Sequence, residues 1–277
     1  MKRVAIINDL SGFGRCSLAA ALAVLPVMGH APSALPTAVL SHQSELQHSC
    51  CTDLTGSMPR FIEAWTKNRE RFDGVLTGYF SSGEQIDYAL RVIRELCAEN
   101  SLVVVDPVMG DNGRLYPSYD AAACTKMREL AKEADVLTPN LTELCILTDA
   151  DYKKLTARSN DSDYFEIIAA AAKELSKSCA VIVTGIHVGK EICNLAIQGK
   201  EYDVIRTPMC GGSFSGTGDL FSAVVCGSLL NGKPLKQAVQ TAADFIHKSI
   251  AETVKQPHDP MYGVHFEKFL TTLSEVK

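Results

Sequence analysis

One stretch of this sequence combines an anion cradle with a carboxylate. Residues 210–230 read CGGSFSGTGDLFSAVVCGSLL, a glycine-rich turn that runs unbroken into an apolar helical segment. Gly216, Thr217 and Gly218 stand where a helix presents free N–H groups, and glycine lets an anion approach them closely. Asp219 is the one charge of the stretch. A carboxylate beside a bound anion costs energy through repulsion. Its use there is chemical: it takes a proton from a hydroxyl that attacks a phosphoryl group. The plainer reading is that Asp219 caps a helix or complements its dipole, as acidic residues in first turns often do. The P-loop lysine is missing after the last glycine, so this is not a Walker A sequence.

Other oxygen-bearing residues recur at fixed places. Asp106 and Asp111 flank Pro-Val-Met-Gly, and Asn140 and Glu143 lie one helical turn apart. Oxygen-only ligands suit Mg²⁺ held largely by phosphates and water. The same residues also fit a braced turn and a capping box. Gly12-x-Gly14-x-x-Ser17 falls one residue short of a dinucleotide fingerprint and lacks the acidic residue that would hold a ribose. His42, His48, Cys50 and Cys51 fall in one polar segment, but at no common zinc spacing.

These residues need elements to hold them. Short apolar runs at 4–7, 34–40, 74–77, 102–105, 136–137 and 180–183 predict strands. Between and after them, 16–28, 58–69, 83–99, 121–133, 141–148, 165–175, 220–230, 235–254 and 267–274 predict helices. Residues 8–15 read as a glycine loop and 149–162 as an irregular surface loop, while 192–197 and 202–206 predict an antiparallel hairpin. Strand–helix repetition of this kind gives an α/β fold: a mainly parallel central sheet with helices on both faces, here expected as one domain over 1–277. Ligands of such sheets bind off the carboxyl ends of the strands. Asn8-Asp9, residues 41–44, Tyr79, Asp106, Thr138 with Asn140, and Thr184 all follow predicted strands, so they are expected along one rim with Gly216–Asp219.

The chain has 277 residues, 46% of them hydrophobic, and a net charge of −5, enough for a large core and against a nucleic-acid partner. Its ten cysteines include no C-x-x-C and read as small core residues in a reducing cytosol. The apolar run at 18–28 is too short to span a bilayer. A cytoplasmic protein with no membrane partner is expected.

Gly216-Thr217-Gly218-Asp219 opening a buried helix, Asn140-x-x-Glu143 and Asp106-Pro-Val-Met-Gly110 together resemble the ribokinase-like small-molecule kinases, and within them the pyridoxal kinases. The resemblance covers essentially the whole chain. It implies ATP-dependent phosphorylation of the 5′-hydroxymethyl of pyridoxal, pyridoxine or pyridoxamine, with ATP, Mg²⁺ and K⁺ bound and a homodimeric assembly. Carried over by motif, Asp219 is the general base, and Gly216, Thr217 and Gly218 cradle the transferring phosphoryl group. Asp111 and Glu143 organise Mg²⁺ and the phosphates. Asn140 and Thr184, with Glu143, match nucleotide-side positions, and Asp106, Thr138 and Thr184 the monovalent-cation region. Asp9, Ser44 and Tyr79 match the pyridine pocket, and Tyr116 the segment that covers it. Members usually carry serine where this chain has Asp9, and often threonine at Ser44. Hydroxymethylpyrimidine kinases typically carry cysteine where this chain has Asp219. The alternatives are a hydroxymethylpyrimidine or other small-alcohol kinase, or a non-catalytic B6-vitamer binder.

Overall fold

The computed structural model describes residues 1–43 and 48–274. Strands β1 (Arg3–Phe13), β2 (Ala31–His42), β3 (Cys51–Asp53), β4 (Phe72–Thr77), β5 (Cys97–Val105), β8 (Val136–Leu137), β9 (Ala180–Val188), β10 (Glu191–Gln198) and β11 (Glu201–Pro208) form one sheet. Its order is β11-β10-β9-β8-β5-β4-β1-β2-β3. From β2 through β9 every neighbouring pair is parallel, and both edges are antiparallel. A separate two-stranded hairpin is made by β6 (Gly110–Asp111) and β7 (Arg114–Leu115).

Strand alternation builds two cores. Ala5 and Ile7 of β1 and Val181 and Val183 of β9 face one apolar cluster, while Val4, Ile6, Ala180 and Ile182 face the other. The first cluster lies under α2 (Met58–Lys67), α3 (Gly83–Leu96), α4 (Ala121–Ala131), α5 (Leu141–Thr148), α6 (Tyr152–Thr156) and α7 (Tyr164–Ala171). The second lies under α1 (Ser17–Val27), α8 (Thr217–Leu230), α9 (Leu235–Thr253) and α10 (Leu270–Ser274). A parallel sheet needs cover on both faces, and full burial of each large aliphatic side chain is worth about 1.5–3 kcal/mol. Helix α8 packs against both α1 and α9 and is buried on nearly all sides, so its sequence carries no charge after Asp219 and has no polar face. A Cβ on its Gly227 would lie 2.5 Å from Met28 Sδ, which shows how closely α1 and α8 approach.

The mainly parallel sheet and the hairpin at 192–206 agree with the sequence reading. Several local expectations do not. Residues 8–15 are not a glycine loop: β1 continues to Phe13, and Leu10, Ser11 and Phe13 pair with Val39, Leu40 and His42 after a register shift. Gly12 is a strand residue whose missing Cβ lets Ser41 O lie within 2.9 Å of where it would be, which leaves no dinucleotide turn. Residues 149–162 contain helix α6, started by Asp151, whose carboxylate accepts from Lys154 N. The helix expected over 83–99 gives way to strand at Cys97, which pairs with Phe72 of β4 before a register shift leads into the pairing of 102–105. The hairpin is the outer part of a three-stranded antiparallel edge that begins at β9. Strand β3, with Cys51, went unread because three exposed residues carry no period.

Candidate active site

The amide cradle forms at the start of α8. Gly216 is its N-cap at φ 78°, in the left-handed region, and no side chain caps the helix. A Cβ there would lie 2.2 Å from Arg15 O and 2.7 Å from Cys16 Cβ, so only glycine lets this turn sit against the β1–α1 connection. Thr217 Oγ1 donates within the turn to Phe214 O at 3.0 Å. Gly218 is exposed and faces open space, which leaves the helix N-terminus free for an anion.

Asp219 lies one position further on. Its Oδ1 accepts from Asn8 Nδ2 at 2.9 Å, from the opposite end of the chain. Asn8 cannot turn over, because its Oδ1 already accepts from Asp9 N at 2.9 Å and Tyr79 N at 2.8 Å. Gly78 makes the space: a Cβ there would lie 2.3 Å from Asn8 Nδ2. Burial raises the Asp219 pKa to about 6 and Asp9 adds to it, while the Ser17 amide and Asn8 pull it down. A raised pKa means that ionisation of Asp219 weakens the fold as pH climbs from the usual carboxylate range through about 6. The ionised carboxylate therefore contributes nothing to stability there. A base at this position would work only when ionised, so kcat/KM is expected to fall below a limb near pH 6. A pH–rate profile checks this, and a flat profile down to pH 4.5 would contradict it.

Asp106 follows β5 and faces the same space. Its Oδ2 accepts from Ser222 Oγ at 2.7 Å, and Ser222 Oγ lies 3.1 Å from Thr138 Oγ1. Burial and then the nearby Asp219 charge push its pKa up. Asn140 and Glu143 form a complete capping box at the start of α5. Asn140 Nδ2 also donates to Gly110 O at 2.9 Å, tying α5 to the β6–β7 hairpin. Glu143 accepts from Met109 N at 3.2 Å and Asn140 N at 2.9 Å, and burial and Asp106 hold its pKa well above the usual range. Thr184 bridges in parallel fashion to Asn140. Asp111 lies exposed at the hairpin tip, where Asn112 N donates to it at 2.7 Å.

Asp9 is buried; Ser11 Oγ donates to it at 3.1 Å and the Ser17 hydroxyl is also bound to it. Burial raises its pKa. Tyr79 is half-buried and its pKa is raised by burial, with Cys51, Asp9 and Asp53 as the acidic neighbours. Tyr116 follows the hairpin, its N–H donating to Met109 O at 2.9 Å. Ser44 lies outside the described residues. Asp219 and Asp106 thus meet at one rim, tied through Asn8 to the Tyr79 backbone.

Ser222 and Thr77 are the site residues that sequence reasoning missed, and Asn8, expected at the rim, carried no assigned role there. Ser222 had a signal, since a serine three after Asp219 shares its face of an otherwise apolar helix. Among the described residues no group of three or more His, Cys, Asp or Glu is arranged to hold a metal, so His42, Cys50 and Cys51 form no zinc site. His42 instead stacks on Phe13 with ring centroids 4.9 Å apart. All ten cysteines are free, most of them buried.

A parallel sheet whose strand ends gather buried carboxylates around an uncapped helix N-terminus defines a ribokinase-like small-molecule kinase, a phosphotransferase with an alcohol acceptor. Residues 60–262 match the family model described as phosphomethylpyrimidine kinase, and the chain belongs to that family. A Bacteroides thetaiotaomicron protein provisionally assigned as a phosphomethylpyrimidine kinase, and crystallised with pyridoxal, is 36% identical with a TM-score of 0.90, covering 98% of this chain and 95% of that one. Pyridoxal kinase from Lactobacillus plantarum is 30% identical with a TM-score of 0.90, covering 100% of this chain and 98% of that one. Pyridoxine kinase of Bacillus subtilis is 31% identical over 188 residues, 65% of this chain and 65% of that protein. No helix among the described residues is long and apolar enough to cross a membrane.

Proposed function

We propose that the protein transfers the γ-phosphoryl group of ATP to the 5′-hydroxymethyl of a vitamin B6 vitamer, with Asp219 as general base. The observation that carries this reading is the Asp219 carboxylate held beside an uncapped helix N-terminus. The Bacteroides thetaiotaomicron relative crystallised with pyridoxal supports the substrate class.

Phosphoryl transfer depends on positioning and on charge stabilisation. The N–H groups of Gly216, Thr217 and Gly218 receive the oxygens of the transferring group. Asn8 and the Ser17 amide hold the Asp219 carboxylate, which takes the proton of the acceptor hydroxyl as its oxygen bonds to the γ-phosphorus and the bond from that phosphorus to the departing ADP breaks. Asp9, Tyr79 and Tyr116 wall the ring pocket in this reading, and Ser44 is assigned to it by motif alone. Asn140, Thr184 and Glu143 serve the nucleotide side.

The donor set fits cations, since Asp106, Glu143 and Asp219 are all carboxylates whose pKa burial raises, and a bound cation would offset that cost. Asp111 and Glu143 would hold Mg²⁺ with the phosphates, and Asp106, Thr138 and Thr184 a monovalent cation such as K⁺. Bound there, they would neutralise the phosphate charge. A single cytoplasmic kinase domain assembled as a homodimer completes the reading.

The test is turnover measured side by side on pyridoxal, pyridoxine, pyridoxamine and hydroxymethylpyrimidine, with ATP, Mg²⁺ and K⁺. ADP release with a B6 vitamer at a kcat/KM at least tenfold above that with the pyrimidine is expected. The reverse ranking would assign the chain to the pyrimidine alcohol suggested by its family model. Vitamer binding without ADP release would make it a binder only.

A further inference from the structure

Behind the proposed base lies a partly enclosed cavity of about 10 Å³, lined by Asn8, Ser17, Thr77, Asp106, Asp219 and Ser222. That is about the space one water needs, and a water also needs two to four polar partners. The walls supply them. Asp106 has Ser222 on one oxygen, and Asp219 has Asn8 on one oxygen. Thr77 is the deciding residue: it is 1% exposed, and its Oγ1 has no hydrogen-bond partner among the described residues. A buried hydroxyl left unpaired in a folded core is costly, so a polar atom belongs opposite it. Thr77 is also the last residue of β4, joined in parallel register to Ile7 of β1, so its position is fixed by the sheet.

We infer that this cavity binds one ordered water, which accepts from Thr77 Oγ1 and donates one hydrogen to Asp106 and one to Asp219. Three hydrogen bonds satisfy the water, the threonine and two facing carboxylates together. Through that water Thr77 acts as a positioning residue. It holds the rear of the Asp219 carboxylate from inside the sheet while Asn8 holds it from the β1 end. Its catalytic consequence rests on the proposed kinase reading; the water site itself does not.

The experiment is a crystal structure at high resolution together with Thr77→Val and Thr77→Ser. The structure is expected to show one spherical density peak about 2.7–3.0 Å from Thr77 Oγ1 and from both carboxylates. An empty cavity, or a peak with ligand distances near those of a metal ion, would overturn the proposal. Thr77→Val keeps the shape and removes the hydroxyl. It should empty the site and lower kcat about tenfold, the effect of losing one such hydrogen bond, with ATP KM within twofold and the acid limb of the pH profile displaced. Thr77→Ser should restore both. If Thr77→Val keeps full kcat and an unmoved profile while remaining folded by circular dichroism, the positioning role is refuted. Absence of vitamer turnover in the wild type would instead refute the kinase reading, leaving the density test of the water intact.

Discussion

Asp219→Asn is expected to lower kcat by about 10²–10⁴-fold, the usual contribution of a general base, while leaving ATP affinity within a few-fold. The reasoning is local. Asparagine fills the same space at the start of α8, leaves the backbone N–H cradle intact and keeps an oxygen that can accept from Asn8 Nδ2. It cannot take a proton. Burial makes the substitution easy on the fold, because the carboxylate it replaces is disfavoured there when ionised. Stability should therefore hold or rise near neutral pH as activity collapses. Steady-state turnover, nucleotide titration and thermal unfolding measure the three quantities, and wild-type turnover by the variant would refute the role of Asp219 as base.

Gly216→Ala should damage both fold and activity. At φ 78° an alanine pays about 1–2 kcal/mol for the left-handed conformation alone. Its Cβ would also stand 2.2 Å from Arg15 O, and a backbone atom cannot swing aside as a long side chain can. The turn must move away from the β1–α1 connection, and the cradle moves with it. A stability loss of about 2–4 kcal/mol in urea titration and a fall in kcat of roughly a hundredfold are expected. Gly218→Ala separates the two effects. Outside its own turn, nothing among the described residues lies within 4 Å of a Cβ there, so stability should change little while the added methyl occupies the anion's approach and kcat falls. Gly212→Ala, also in open space, serves as the neutral control. A Gly216→Ala enzyme as stable and as fast as wild type would remove the structural basis of the cradle.

The order of strands and helices could be read from the chain because a sheet covered on both faces demands apolar runs, and helices packed on one side demand a 3.6-residue period. For the same reason the strand ends were locatable, and with them Asp106, Asn140, Thr184 and the Gly216–Asp219 turn. These are local properties of composition along the chain. Helix α6 and strand β3 were not readable, since five and three residues carry too little period to stand out. The extension of β1 to Phe13 was hidden too. It arises from pairing with Val39, Leu40 and His42 about thirty residues away, which overrides the turn preference of its glycines.

The interior of the site was decided by tertiary structure alone. Asn8 meets Asp219 across 211 residues of sequence, and Ser222 meets Asp106 across 116. No spacing rule joins such pairs, because they are neighbours only once β1, β4 and β5 lie side by side under α8. Sequence supplied the carboxylate, the glycines and the strand ends that had to carry polar groups. Folding decided which oxygen of Asp219 accepts from Asn8, and that a threonine hydroxyl at the end of β4 stands behind it with no partner among the described residues. Residue type and local period set the kind of chemistry a chain can perform, whereas the direction in which each side chain points depends on packing between elements that the linear order does not bring together.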